Sequence, residues 1–148
     1  MQRINIVKIQ MVKEKSLLVE NKKIANSQQV KEVVYQYLEG VDREHLVVLA
    51  LDTKNKINCI STVSIGSLNS SIVHPREVFK VLIEANAGSF IVAHNHPSGD
   101  VTPSREDINI TIRLKECGKL MGIELLDHII IGDEDSREYT SLKEKGVI

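Results

Sequence analysis

The sequence contains no tryptophan and only two phenylalanines and three tyrosines, so any core it forms must be built from aliphatic Ile, Val and Leu. Its two cysteines, Cys59 and Cys117, stand far apart and form no CxxC pair. Two reduced, partly buried thiols of a cytosolic protein account for them. No stretch approaches the roughly 20 apolar residues that a membrane-spanning helix needs. Met1 to Lys15 alternates apolar residues with Lys and Gln and offers no apolar signal core. A soluble, cytoplasmic protein without membrane contact is therefore expected. An excess of charge is also missing: 19 basic residues face 20 acidic ones, for a net charge of −1. Domains that live on phosphate backbones usually carry a basic excess, so charge does not support DNA as the main partner.

What is present suits one ordinary globular domain of 148 residues, 42% hydrophobic and 26% charged. Residues 4–12 alternate in polarity and suggest a strand, with Leu17 to Val19 as its hairpin partner. Ser27 is an N-cap candidate for a helix whose Val30, Val33, Val34, Tyr37 and Leu38 recur at helical spacing, with Gly40 closing it. Residues 1–41 thus read as a hairpin and helix leading into the domain at 42–148. His45 to Leu51 is an almost continuous apolar run, expected as a central strand buried on both faces. Asp52 to Asn55 is turn chemistry, 56–65 the return strand, and Gly66 to Ser70 a loop. Pro75 opens a second helix, at its favoured first position, and Gly88 ends it. Further strands are expected at 89–93, 123–131 and 137–140, with a helix starting at Ser104. This order implies an α/β sandwich around a mixed sheet.

The chain is organised around Ser89 to Asp107, SFIVAHNHPSGDVTPSRED. Here an apolar run ends in His94-Asn95-His96, and a turn-rich loop leads to a helix start. Residues two apart on a strand share a face, and the loop can return Asp107 to the two imidazoles. Imidazole and carboxylate are preferred zinc ligands, and a catalytic zinc takes three protein ligands while leaving a position for water. His94, His96 and Asp107 supply such a set. The same residues have a purely structural reading, because Ser104 with Asp107 resembles a capping box, and both uses are compatible. The string His94-Asn95-His96 is not read as an HNH nuclease site, whose metal-binding residues are spread over a hairpin and a helix. His128, with Asp127, interrupts the apolar run at 123–131, and a polar side chain there needs a hydrogen-bond partner. Both are expected to support the site from behind the ligands. His74, before Pro75, reads as a capping or surface residue.

His94-x-His96, then seven residues, then Ser104-x-x-Asp107 resembles the JAMM signature of the JAB/MPN metalloprotease superfamily. HNHPSGDVTPSREDI and its flanks are similar to the RadC-like branch. Those flanks are Arg43-Glu44-His45, LDTKNK at 51–56, VSIGSLNSSIVHPREVFK at 63–80 and LLDHIIIGD at 125–133. The resemblance covers about residues 42–146. It implies a cytidine-deaminase-like α/β sandwich, with a mixed sheet flanked by helices. It also implies a zinc-dependent hydrolase (a metallopeptidase or isopeptidase) acting on a peptide or protein substrate. By that resemblance His94, His96 and Asp107 ligate Zn2+, Ser104 hydrogen-bonds the developing oxyanion or the activated water, and Glu44 is the general acid/base. Asp100 and Glu106 are the rival carboxylates, nearer in sequence. The RadC association also suggests another class of function, a DNA-repair or mobile-element accessory factor that binds DNA or a repair protein.

Overall fold

The structure is a computed structural model and describes residues 1–67 and 73–148. Of the expected loop Gly66 to Ser70, the part from Leu68 onward lies outside the described residues. The elements run α1 (Ser27–Tyr37), β1 (His45–Leu51), β2 (Ile57–Ile65), α2 (Pro75–Glu84), β3 (Ser89–Asn95), α3 (Arg105–Met121), β4 (Glu124–Ile131) and β5 (Tyr139–Ser141). The strands form one mixed sheet in the order β2-β1-β3-β4-β5. β3 and β4 are parallel, joined by the α3 crossover, and the other neighbours are antiparallel. This is the α/β architecture of the JAB/MPN fold.

Side-chain alternation divides the core between the two faces of the sheet. On one face α1 lays Val30, Val33 and Val34 over Val47, Leu49, Leu51, Ile91, Ala93, Ile129 and Ile131. On the other, α2 and α3 cover Leu46, Val48, Phe90 and Val92 with Val78, Leu82, Ile110 and Leu114. β1 and β3 are central and covered on both faces, which is why their sequences are unbroken apolar runs. The shortage of aromatics shows here: Phe79 on Phe90, at 5.4 Å, lies among aliphatic neighbours.

The expected hairpin over 4–19 is not formed. Residues 1–19 contain no strand, and Ile4, Ile6, Val7, Ile9 and Val12 are exposed. Alternation supplies an apolar side, but a strand also needs a backbone neighbour, and an isolated two-stranded hairpin is marginal in water. Pairing begins only at Lys23, bridged to Lys56. α1 forms where expected, with the cap one residue earlier: Asn26, not Ser27, accepts the Gln29 amide at 3.0 Å. α2 opens at Pro75 with His74 in the cap position, where its side chain makes no capping bond. The helix ends at Glu84, before Gly88, and Asn86 takes the left-handed conformation at φ 52°.

Candidate metal centre

His94 lies inside β3, not beyond its end, because the strand continues to Asn95. Alternation puts His94 on the α3 face with Phe90 and Val92, and its side chain is fully buried. His96 follows the strand. Its amide donates to the Ile131 carbonyl at 2.8 Å, which fixes it beside the end of β4. The loop then folds back through Gly99, whose φ of 86° suits a residue without Cβ. That turn brings the Asp100 carbonyl to His96 Nδ1 at 2.7 Å. A carbonyl can only accept, so the neutral His96 ring holds its proton on Nδ1 and presents the Nε2 lone pair to the site.

Asp107 arrives from α3. Ser104 Oγ accepts the Asp107 amide at 3.1 Å and Asp107 Oδ2 accepts the Ser104 amide at 2.7 Å, a complete capping box. The cap therefore sets the orientation of the carboxylate. His94 Nε2 lies 2.9 Å from His96 Nε2 and 3.1 Å from Asp107 Oδ1, and His96 Nε2 lies 3.2 Å from Asp107 Oδ2. All three residues offer ligand atoms within 4.8 Å of one another. Tetrahedral zinc ligands at ordinary bond lengths stand roughly 3.3 Å apart, so the spacing fits. The chemistry fits as well, since two imidazole nitrogens this close to each other and to a carboxylate are best satisfied by a shared cation.

Electrostatics agrees with that reading. Burial would raise the Asp107 pKa, but the adjoining His94 and His96 rings and the hydrogen bond from the Ser104 amide hold the carboxyl far below its usual range. The Asp107 carboxylate favours the protonated ring and raises the His96 pKa against the opposing effect of burial. Burial, helped by the neighbouring His94, pushes His128 well below its ordinary value and keeps it neutral.

The resemblance-based residues also converge. β1 runs antiparallel to β3 with Leu46 opposite His94, so Glu44, just before β1, arrives at the sheet end that holds the histidines. Glu44, Ser67, His96, Asp100, Ser104 and Asp107 all line an open concavity of ≈ 360 Å³. Asp100 is nearby, but its Oδ1 is engaged by the Thr102 amide at 3.0 Å. Glu106 does not line the concavity. His128, also buried, sets Nε2 2.7 Å from His94 Nδ1. Asp127 points elsewhere: its carboxylate accepts from Ser141 Oγ at 2.5 Å and from the Lys143 amide at 3.0 Å. It meets the site only through the His128 backbone amide, at 2.7 Å, and so anchors the chain beyond β5.

Two residues escaped the sequence reading. Asn95 is buried between the histidines; its Oδ1 accepts the His45 amide at 2.7 Å and its Nδ2 donates to the Arg43 carbonyl at 2.9 Å. Those two bonds bracket Glu44 and fix its backbone. Thr111, buried on α3, lies 2.6 Å from His128 Nδ1. An Asn between two histidines is a sequence signal; Thr111 gives none, because its partner comes from β4.

Fold and site together define an α/β domain with a mixed sheet whose histidine–histidine–aspartate cluster can hold a metal ion. Residues 24–147 match the model of the RadC-like JAB domain, and the chain belongs to that family. It is 56% identical over 126 residues to a UPF0758 protein of Clostridium botulinum strain Hall, covering 85% of this chain and 54% of the relative. It is 58% identical over 116 residues to a UPF0758 protein of Desulforamulus reducens, covering 78% and 50% respectively. The chain spans about half the length of the curated relatives it matches. Among the described residues no helix is long and apolar enough to cross a membrane.

Proposed function

We propose that this domain is a zinc-dependent hydrolase that cleaves a peptide or isopeptide bond. The observation that supports the reading is the meeting of buried His94 with His96 and the Asp107 carboxylate, the latter two lining an open concavity that Glu44 also lines. These three residues would hold the zinc, which when bound would supply a Lewis acid and make a water acidic enough to ionise near about pH 7. Glu44 takes the proton of the attacking water and later delivers it to the leaving amine. Ser104 accepts the Asp107 amide with an Oγ lone pair, which leaves its hydroxyl proton to donate to the developing oxyanion. Asn95 holds the segment around Glu44, so the carboxylate does not depend on a mobile loop for its position. Open access on one side and a buried ligand set on the other suit a large substrate reached from solvent.

The test combines metal content with hydrolysis. Purified protein is expected to bind one zinc per chain at neutral pH and to release an amine from a peptide or isopeptide substrate, with both lost on chelation. Protein that binds no stoichiometric zinc sinks the reading. DNA affinity with a steep salt dependence, in protein without hydrolytic activity, would favour the accessory-factor alternative.

A further inference from the structure

We infer that Thr111 and His128 form a directional hydrogen-bond relay that fixes the tautomer of His94, so that the buried imidazole presents a bare Nε2 to a metal ion. The inference rests on the metal reading above and deepens it. The direction follows from counting protons. Thr111 Oγ1 lies 2.6 Å from the Asp107 carbonyl and 2.6 Å from His128 Nδ1. The carbonyl can only accept, so the single hydroxyl proton goes to it, a bond of the kind that helical Thr makes to the residue four before. Thr111 Oγ1 must then accept from His128, which places the His128 proton on Nδ1. In a neutral ring Nε2 is left bare, and it can only accept from its neighbour at 2.7 Å, His94 Nδ1. His94 therefore carries its proton on Nδ1, and its Nε2, 3.1 Å from Asp107 Oδ1, is free to ligate.

The relay begins and ends on the proposed ligands. It starts at the Asp107 carbonyl on α3, crosses to β4 through His128 and reaches His94 on β3. Thr111, His128 and His94 are all fully buried, so water cannot reverse the direction by offering other partners. The effect on His94 matches that of the Asp100 carbonyl on His96: each ligand has its distal nitrogen protonated by contact with a fixed acceptor. Thr111 and His128 are positioning residues; neither reaches the concavity.

The test uses the full chain with histidines labelled in ¹⁵N. Long-range ¹H–¹⁵N spectra, metal-free and with zinc added, report which ring nitrogen is protonated; titration of zinc against a competing chelator gives the dissociation constant. The expected result is a proton on Nδ1 of both His128 and His94. Thr111→Val is expected to unlock the His128 tautomer and weaken zinc binding roughly 10- to 100-fold. Thr111→Ser, which keeps the hydroxyl, should restore both. A proton on His128 Nε2 in wild-type protein that does bind zinc overturns the relay and leaves the metal reading standing. So does a Thr111→Val protein whose zinc affinity is unchanged. Wild-type protein that binds no zinc overturns the metal reading, and with it the purpose assigned to the relay. The wild-type tautomer needs no variant, so the test survives a substitution that fails to fold.

Discussion

The two faces of the sheet solve opposite problems with the same strands. The face under α1 is mainly aliphatic, Val30, Val33 and Val34 packing over Val47, Leu49, Ile91 and Ile129, with the Tyr35 ring among them. The face under α2 and α3 starts in the same way, with Phe90, Val92, Leu82 and Leu114. Toward the C-terminal end of β3 it turns polar, with His94, His128, Thr111 and Asp107 all buried. Burying such groups is costly unless each finds a partner, and here each does. The difference teaches a division of labour. One face supplies stability through apolar burial, while the other spends part of its buried volume on a rigid, fully bonded polar cluster.

Substitutions on the two faces should therefore separate stability from metal chemistry. The largest effect is expected at the ligands: His96→Ala or Asp107→Asn should abolish stoichiometric zinc binding while circular dichroism reports a folded chain. Glu44→Gln comes next. It should lower kcat by roughly 10²- to 10⁴-fold, the usual worth of general acid–base catalysis, and leave zinc content intact. On the other face, Leu49→Ala should cost about 2–5 kcal/mol in denaturant unfolding, with no change in the zinc affinity of the folded protein. A shift in affinity there would break the separation.

The smallest effect is a pH dependence. Asp107 raises the His96 pKa above 6.5 in the metal-free protein, and zinc must displace that proton. Zinc affinity should be full above the raised value and fall as pH drops through it, by up to about tenfold per pH unit for one proton. Metal-free stability has the opposite sign. The His96–Asp107 pair contributes fully below the unfolded His value of about 6.5, and that contribution is lost as pH rises through the folded one. Calorimetric titration and thermal melts at pH values from below the ordinary His value to above the raised one measure both.

Much of the site was legible because its information is local. The spacing from His94 to Asp107, the cap at Ser104 and the apolar runs of β1 and β3 all lie in short windows. Glu44 became legible through its family resemblance, and the antiparallel register of β1 on β3 explains why a residue so distant in sequence arrives there. What was not legible depends on neighbours. The alternation of residues 4–12 looks like that of a strand, but no element pairs with it. Asp127 and His128 are adjacent and looked alike, yet strand alternation sends one toward β5 and the other to the ligands. Thr111 is an ordinary helical residue until β4 places His128 against it.

The central claim is that His94, His96 and Asp107 hold one zinc ion. Anomalous diffraction at the zinc absorption edge, from crystals of the zinc-loaded chain, tests it most directly. The account predicts a single peak about 2.0–2.2 Å from a nitrogen of each histidine and an Asp107 oxygen. No peak among these three residues, or a peak held by other side chains, would contradict it.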